Sequence, residues 1–389
     1  MKILIVNEFY KCGGAEVYAH NLKKLFKENG HQARLLCFTF DEKDKLNASD
    51  DIDFLKISGE YNKLIFNPFI YKRLTNYLKN FNPEIIIINN IFSAPYTQLM
   101  AFGKYKCIQV VHDYSIVCPK ATCVYENYDV CGGYLSDSCL KKCLYRNSKL
   151  KLLIKEVQLY LENIIRKRTV DYFISPSEKL AQYMEKYKFN VCCINNPIEK
   201  VSENYDVRQK LKIKKYVYVG EISEKKGAVN LLKHFLRFSE NKEVTLDFIG
   251  RVADESKEIF YENIEKSDKI NYLGLLPHDE VINRLKEYYC IVVPSIWMEN
   301  YPTTVLEAML SKTLVLGSDR GGIPEMLEDN RGFTSSLQSE LEDKLNETYY
   351  IESTKYLEMI NKSYEYVFRN NSYNIFYEKI MEKIDLVKK

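Results

Sequence analysis

Ile85-Ile86-Ile87-Ile88 is a run of four β-branched residues with no polar position among them. A strand with one face in water alternates apolar and polar side chains, and a strand covered on both faces does not. The run therefore predicts a parallel sheet enclosed by helices. Comparable short runs recur along the chain. Lys2–Asn7, Arg34–Phe38, Glu84–Asn90, Cys107–Asp113, Tyr172–Ser177 and Val191–Asn196 form one series. Lys215–Glu221, Val244–Gly250, Lys269–Gly274, Cys290–Ser295 and Thr313–Ser318 form a second. Helical spacing fills the gaps: in Ala15–Asn29, Ala15, Tyr18, Ala19, Leu22, Leu25 and Phe26 share one stripe, and Gly30 stops it. The polar stretch Glu199–Lys214 separates the two series. The expected architecture is α/β: two Rossmann-like, doubly wound parallel-sheet domains with a cleft between them. Expected boundaries are 1–198, 199–371 and a last amphipathic helix over 372–389, with Ser372 as its cap and the N-terminal domain within its reach.

Composition narrows the function. The chain has 389 residues, and 46% are hydrophobic, which suits large cores and argues against wholesale disorder. Net charge is +3, from 56 basic and 53 acidic side chains, so the basic excess that nucleic acid demands is missing. The start MKILIVNEFY holds only four successive apolar residues, Ile3–Val6, too few for a secretory h-region, and reads as a first strand. No apolar run approaches the roughly 18 residues of a membrane span. These features predict a cytoplasmic protein, with at most peripheral contact with a membrane. For its 11 cysteines, metal binding or buried thiols are then expected ahead of disulfides.

In open α/β sheets ligands bind where strand ends meet helix starts. Gly13-Gly14 follows the first strand and lets a ligand approach the backbone closely, although an ordinary turn would use the same pair. His112 ends the strand Cys107–Val111, the only one of five histidines so placed. Gly220-Glu221-Ile222-Ser223-Glu224-Lys225-Lys226-Gly227 follows another strand, and its lysine beside a glycine suits a diphosphate as well as it suits a solvated surface. Pro302 is expected at the first position of a helix, leaving Thr303 and Thr304 to present free amides, with Glu299 before them and Glu307 after them. Such an anion site edged by two carboxylates repels a bare phosphate. A sugar nucleotide fits, since its diphosphate takes amides while its hydroxyls donate to carboxylates. A capped helix with one dipole-friendly glutamate accounts for only half of the pattern.

These motifs, in this order, resemble the retaining GT-B glycosyltransferases of family 4. That family carries a Gly-Gly loop, a histidine at an N-domain strand end, a G-R-x-x-x-x-K-G phosphate loop and an E-x7-E element followed by GGxPE. Here the last two are Glu299 to Glu307 and Gly321-Gly322-Ile323-Pro324-Glu325. The resemblance implies transfer of a sugar from a UDP- or GDP-sugar to a glycan or lipid-linked acceptor in surface polysaccharide biosynthesis. It implies that Glu307 holds the ribose, Glu299 the donor sugar, and Lys226 the diphosphate. Gly13, Gly14, Gly220 and the amides of Tyr301, Thr303 and Thr304 would assist, and His112 would touch donor sugar or acceptor. The leaving phosphate itself would take the acceptor's proton, so no metal or other cofactor is required for chemistry. One position departs from the pattern: Glu221 stands where the family has arginine. Either Lys225, Arg251 or Arg320 then supplies the missing charge, or the phosphate is held differently. The alternative is a degenerate sugar-nucleotide-binding or scaffold partner of a glycan assembly complex.

Three further features lie outside that pattern. Asp51-Ile52-Asp53 has the form of a metal-binding pair but sits in a polar run and reads as a solvated loop. Cys118, Cys123, Cys131, Cys139 and Cys143 crowd one stretch after His112. Four of them, Cys118, Cys131, Cys139 and Cys143, with Cys123 as substitute, would suit a structural zinc, and free thiols are the equal alternative. Lys141, Lys142, Arg146, Lys149, Lys151 and Lys155 precede apolar Val157–Ile165, a pattern that suits either a solvated helix or anionic lipid.

Overall fold

The computed structural model describes every residue except Cys12, 58–65, Glu126, 134–136, 144–147, 200–206, 337–339 and Lys389. Cys12, Arg146 and part of the 199–214 linker thus lie outside the described residues. Contacts divide the chain into two units, Met1–Ile194 with Asn374–Lys389, and Asn195–Tyr373.

Unit 1 holds β1 (Lys2–Phe9), β2 (Gln32–Thr39), β3 (Ile52–Phe54), β4 (Ile85–Ile88), β5 (Cys107–Val110), β6 (Tyr172–Ser175) and β7 (Val191–Cys193). They form one sheet in the order β3-β2-β1-β4-β5-β6-β7, and every pairing is parallel. All four isoleucines of β4 are fully buried, as a strand covered on both faces requires. The strand order reverses between β1 and β4, so these two leave the sheet toward opposite faces and open a crevice at their carboxyl ends. β3 escapes sequence reading because its three residues follow a polar run, Asn47–Asp51. The Asp51-Ile52-Asp53 motif is therefore no solvated loop. Asp53 lies in β3 and accepts from Arg34 Nε at 2.6 Å and from Tyr77 Oη at 2.6 Å, while Asp51 pairs with Lys23 at 2.5 Å and with Lys27.

The last helix, Tyr373–Lys388, packs into unit 1. Phe376, Ile380, Ile384 and Val387 recur every three or four residues and are buried. The Phe376 ring meets Tyr18 edge-on at 5.9 Å, and His31 Nε2 lies 2.7 Å from Tyr377 Oη.

Unit 2 holds β8 (Lys214–Val219), β9 (Val244–Ile249), β10 (Ile270–Gly274), β11 (Cys290–Val293), β12 (Leu314–Ser318) and β13 (Phe333–Ser335). Its order, β10-β9-β8-β11-β12-β13, is again all parallel, with the reversal between β8 and β11. Successive β8 residues serve opposite cores. Tyr216 and Tyr218 join one cluster, and Val217 joins the other, so the sheet is covered on both sides. Among the described residues, no helix is long and apolar enough to cross a membrane.

Candidate functional site

In unit 2 the crevice between β8 and β11 is built by the two loops that follow these strands. Gly227 begins the Ala228–Phe238 helix with φ 72°, a left-handed conformation, and a Cβ there would lie 1.9 Å from the Pro294 carbonyl oxygen. Glycine lets the β8 loop lie directly on the β11 loop, and Ile296 N donates to Lys225 O at 3.0 Å across the seam. Lys226 is thereby delivered to Glu299. Its ammonium donates to Glu299 Oε1 at 2.7 Å and lies 4.6 Å from the centroid of the Trp297 ring. Ser295 Oγ and Trp297 Nε1 donate to the same oxygen at 2.6 and 2.8 Å. Burial alone would raise the Glu299 carboxyl. The Lys226 charge, its hydrogen bond and those of Ser295 and Trp297 outweigh burial and hold it below the ordinary carboxylate range.

The Gly321-Gly322 turn fixes Glu299 from behind. Gly321 has φ 61°, its Cβ position falls 1.9 Å from the Glu299 carbonyl oxygen, and Gly322 N donates to that oxygen at 2.8 Å. Two motifs that are separate in sequence are thus one structural unit.

Pro302 proves to be the residue before the helix rather than its first residue, with ψ 129°. The helix runs Thr303–Leu310, so Thr303 and Thr304 occupy its first two positions, whose N–H groups have no intrahelical acceptor. Tyr301 is buried in a left-handed conformation, φ 75°, and its carbonyl accepts from Asn196 Nδ2 at 3.2 Å. Glu307 is buried one turn on, and its Oε1 lies 3.0 Å from His278 Nε2. That hydrogen bond raises the His278 pKa above its ordinary value. Sequence reading missed His278, because its only signal was a place at the start of a helix after β10.

Gly220 and Gly250 adjoin at the ends of β8 and β9, where a Cβ on Gly250 would fall 1.9 Å from Gly220 O. Glu221 lies apart from the Lys226 cluster, largely exposed, with its Oε2 3.4 Å from exposed Arg251. Lys225 contributes its backbone carbonyl to the seam, and Arg320 is buried with Nε 3.4 Å from Asp319.

In unit 1 the β1/β4 crevice is lined by a continuous hydrogen-bond chain. His112 Nε2 lies 2.7 Å from Asn89 Oδ1. The Asn89 amide nitrogen donates to Asn7 Oδ1 at 2.8 Å and to Ala15 O at 2.9 Å. Asn7 Nδ2 donates to Glu16 Oε1 at 3.4 Å, and Glu16 Oε2 accepts from Gly13 N at 2.8 Å. With the Asn89 nitrogen committed elsewhere, its oxygen faces the histidine, and His112 carries its proton on Nε2. Nδ1 is left as an acceptor. Burial pushes the imidazole pKa down to about 4 against the opposing pull of Asp113, so the ring is neutral at ordinary pH. Asn7, Glu16 and Asn89 were invisible in sequence, where isolated asparagines and a helical glutamate carry no spacing signal.

The five clustered cysteines are all buried, and none forms a disulfide. Cys118 hydrogen-bonds with Cys123, which lowers its pKa, while Cys131 bonds with Cys139 and Cys143. The hydrogen bonds with Cys131 and Cys143, then burial and the Glu156 carboxylate, raise the Cys139 pKa. Among the described residues, no group of three or more His, Cys, Asp or Glu side chains is arranged to hold a metal ion.

No curated protein matches the chain. Its fold is that of solved GT-B glycosyltransferases. Anabaena Alr3699/HepE in complex with UDP superposes with TM-score 0.75 at 15% identity, over 99% of this chain and 100% of that one. A glycosyltransferase from Rickettsia africae gives 0.73 at 16% identity, over 100% and 99%. WaaG, a glycosyltransferase involved in lipopolysaccharide biosynthesis, gives 0.67 at 13% identity, over 99% of each. Residues 12–200 match the family model Glycosyltransferase Family 4, and residues 202–365 match Glycosyl transferases group 1. Between them the two models span nearly the whole chain, which belongs to the GT-B glycosyltransferases of group 1/family 4.

Proposed function

We propose that the protein is a retaining, metal-independent glycosyltransferase that moves a sugar from a nucleotide-sugar donor to a glycan or lipid-linked glycan acceptor of a surface polysaccharide. The observation that carries this reading is the Lys226–Glu299 pair, set at the β8/β11 reversal beside the start of the Thr303–Leu310 helix. A diphosphate leaving group gains negative charge as the sugar departs, and a preorganised ammonium and helix-start amides stabilise that charge. Lys226, Thr303, Thr304 and the Tyr301 amide are assigned to the diphosphate, with the Gly13-Gly14 and Gly220 backbones as further contacts. Glu299, held ionised, accepts sugar hydroxyls, and Glu307 accepts those of the ribose. Neutral His112 offers Nδ1 to a hydroxyl of donor sugar or acceptor. HepE has been solved with UDP and with UDP-glucose, which supports a uridine donor here.

Trp297 is the only tryptophan of the chain, and it touches both members of the pair. Its fluorescence should therefore change when UDP or a UDP-sugar displaces the Lys226–Glu299 contact. Titration with UDP, GDP, CDP and ADP should produce a saturable change for one base, absent in Lys226→Ala, and the matching nucleotide sugar should turn over in EDTA. No response to any nucleotide would sink the site assignment. Binding without turnover of any sugar would establish the degenerate alternative.

A further inference from the structure

Three arginines are buried among the described residues, and two of them have partners. Arg331 donates from Nε to Met326 O at 2.8 Å, from Nη2 to Glu325 O at 2.8 Å and from Nη1 to Asp329 Oδ2 at 3.1 Å. Arg166 donates from Nη1 to Gln109 Oε1 at 2.9 Å and pairs with Glu162 at 3.6 Å. Arg320 is the most deeply buried, 4% exposed, yet no nitrogen of its guanidinium makes a hydrogen bond among the described residues. Its one ion pair there is with Asp319, whose Oδ1 lies 3.4 Å from Nε without hydrogen-bond alignment and whose side chain is 41% exposed. A guanidinium is always charged and carries five N–H donors. Burying it with those donors empty destabilises the fold. Packing does not account for it, because a methionine would fill similar space without that penalty.

The place of Arg320 in the fold identifies what fills those donors. It follows β12, at the carboxyl ends of the strands, where ligands of open α/β sheets bind. It immediately precedes Gly321, whose Cβ position falls 1.9 Å from the Glu299 carbonyl oxygen, so the turn that fixes Glu299 also carries Arg320. Two hydroxyls at the same strand ends share the shortage. Ser318 and Ser335 are register partners of β12 and β13, and both Oγ atoms are buried without a hydrogen-bond partner. With Asn230 and Pro294 they line a cavity of about 20 Å³, which has room for one water, and a water satisfies hydroxyls. A water does not neutralise a guanidinium. A planar oxyanion does, by accepting two of its N–H groups in parallel.

We propose that Arg320 binds a carboxylate on the donor sugar, so that the donor is a nucleotide-linked uronic acid. The inference rests on the donor-site reading given above: Lys226 and the helix-start amides take the diphosphate, so a further anion beside Glu299 belongs to the sugar. The test is Trp297 fluorescence titration of the full chain with UDP, UDP-glucose, UDP-glucuronate and UDP-galacturonate, for wild type and Arg320→Met, with thermal melts of both. If the nucleotide panel selects GDP, then GDP, GDP-mannose and GDP-mannuronate replace them. Wild type should bind one uronate about tenfold or more tighter than the neutral sugar nucleotide. In Arg320→Met that preference should vanish while affinity for UDP, which has no sugar, holds. The ligand-free melting temperature of Arg320→Met should equal or exceed that of wild type, because an unfilled buried charge has been removed. Arg320→Lys keeps the charge without the fork and should retain only part of the preference. Equal wild-type affinity for uronate and neutral donors overturns the proposal and leaves the donor site standing. A lower melting temperature in Arg320→Met overturns it by assigning the guanidinium to the fold. An equal loss of affinity for UDP and for the uronates overturns it by assigning Arg320 to the diphosphate. A response to no nucleotide sinks the donor-site reading itself, and this inference with it.

Discussion

A single oxygen, Glu299 Oε1, accepts three donors, and this concentrates the donor site's electrostatics on one side chain. Removing Lys226 leaves a buried carboxylate with its charge uncompensated. Lys226→Ala should therefore lower kcat/KM by about a hundredfold or more and destabilise unit 2 by about 1–3 kcal/mol. The two effects separate in the double variant. Lys226→Ala/Glu299→Gln should recover stability in a thermal melt but not activity, and recovery of both would remove the pair from the chemistry. His112 gives a second prediction at this scale. Its proton sits on Nε2 because Asn89 presents an oxygen, and burial keeps the ring neutral down to about pH 4. The pH profile of kcat should thus be indifferent to His112 between about pH 5.5 and 8. An acidic limb near pH 6–7 that disappears in His112→Asn would show that the ring titrates and that its role is acid–base.

At the scale of elements, glycines decide where the loops meet. A Cβ at Gly227 or Gly321 would drive into backbone oxygens of Pro294 or Glu299, and both residues have left-handed φ. Gly227→Ala and Gly321→Ala should each destabilise unit 2 by more than about 1 kcal/mol and weaken nucleotide binding, whereas Gly14→Ala meets nothing within 4 Å and should be mild. Equal melting temperatures for all three would refute this packing account. The seam also shows what was legible beforehand. Glu299, Glu307, Lys226 and the glycine turns were readable, because chemistry at fixed spacing leaves a trace in sequence. Most strands were readable as short runs rich in β-branched and aromatic residues, as in Ile85–Ile88, whereas the short β3 and β13, set among polar residues, were not. The Asn7–Asn89–His112 chain and the His278–Glu307 contact join residues 23 to 82 positions apart, and no local period encodes such partnerships. The His278–Glu307 contact carries its own pH signature. The hydrogen bond raises the histidine pKa, so its stabilisation is present below the unfolded value of about 6.5 and lost as pH rises through the folded value. If ribose hydroxyls use Glu307 Oε1, they compete with the protonated ring. Affinity for an intact nucleotide sugar should then rise a few-fold between roughly pH 6 and 8, and His278→Ala should bind tightly and independently of pH. Wild-type affinity that falls over this range would place His278 in support of the ligand instead.

At the scale of the whole molecule, the chain completes its first unit only with its last residues. Unit 1 ends its sheet near Ile194, the chain then builds all of unit 2, and Asn374–Lys389 returns to the first. That helix places Phe376, Ile380, Ile384 and Val387 in the unit 1 core, and burying each is worth about 1.5–3 kcal/mol. Polar contacts pin it at both ends: Tyr377 Oη to His31 Nε2 at 2.7 Å, and Lys388 Nζ to Glu84 Oε2 at 2.8 Å. A domain's net stability is about 5–15 kcal/mol, so loss of four such side chains is of the same order as the whole. A chain truncated after Tyr373 should therefore show a collapsed or absent unit 1 transition in calorimetry and gain exposed apolar surface. Unit 2 carries its own two cores and the complete Lys226–Glu299–Trp297 cluster. Its transition and a nucleotide-dependent Trp297 signal should survive truncation, while sugar transfer is lost. The milder Ile380→Ala should reproduce the selectivity, lowering the unit 1 transition by about 2–5 kcal/mol without moving the other. If both transitions fall together in Ile380→Ala, the two units unfold cooperatively and the last helix stabilises the molecule as a whole rather than its first half.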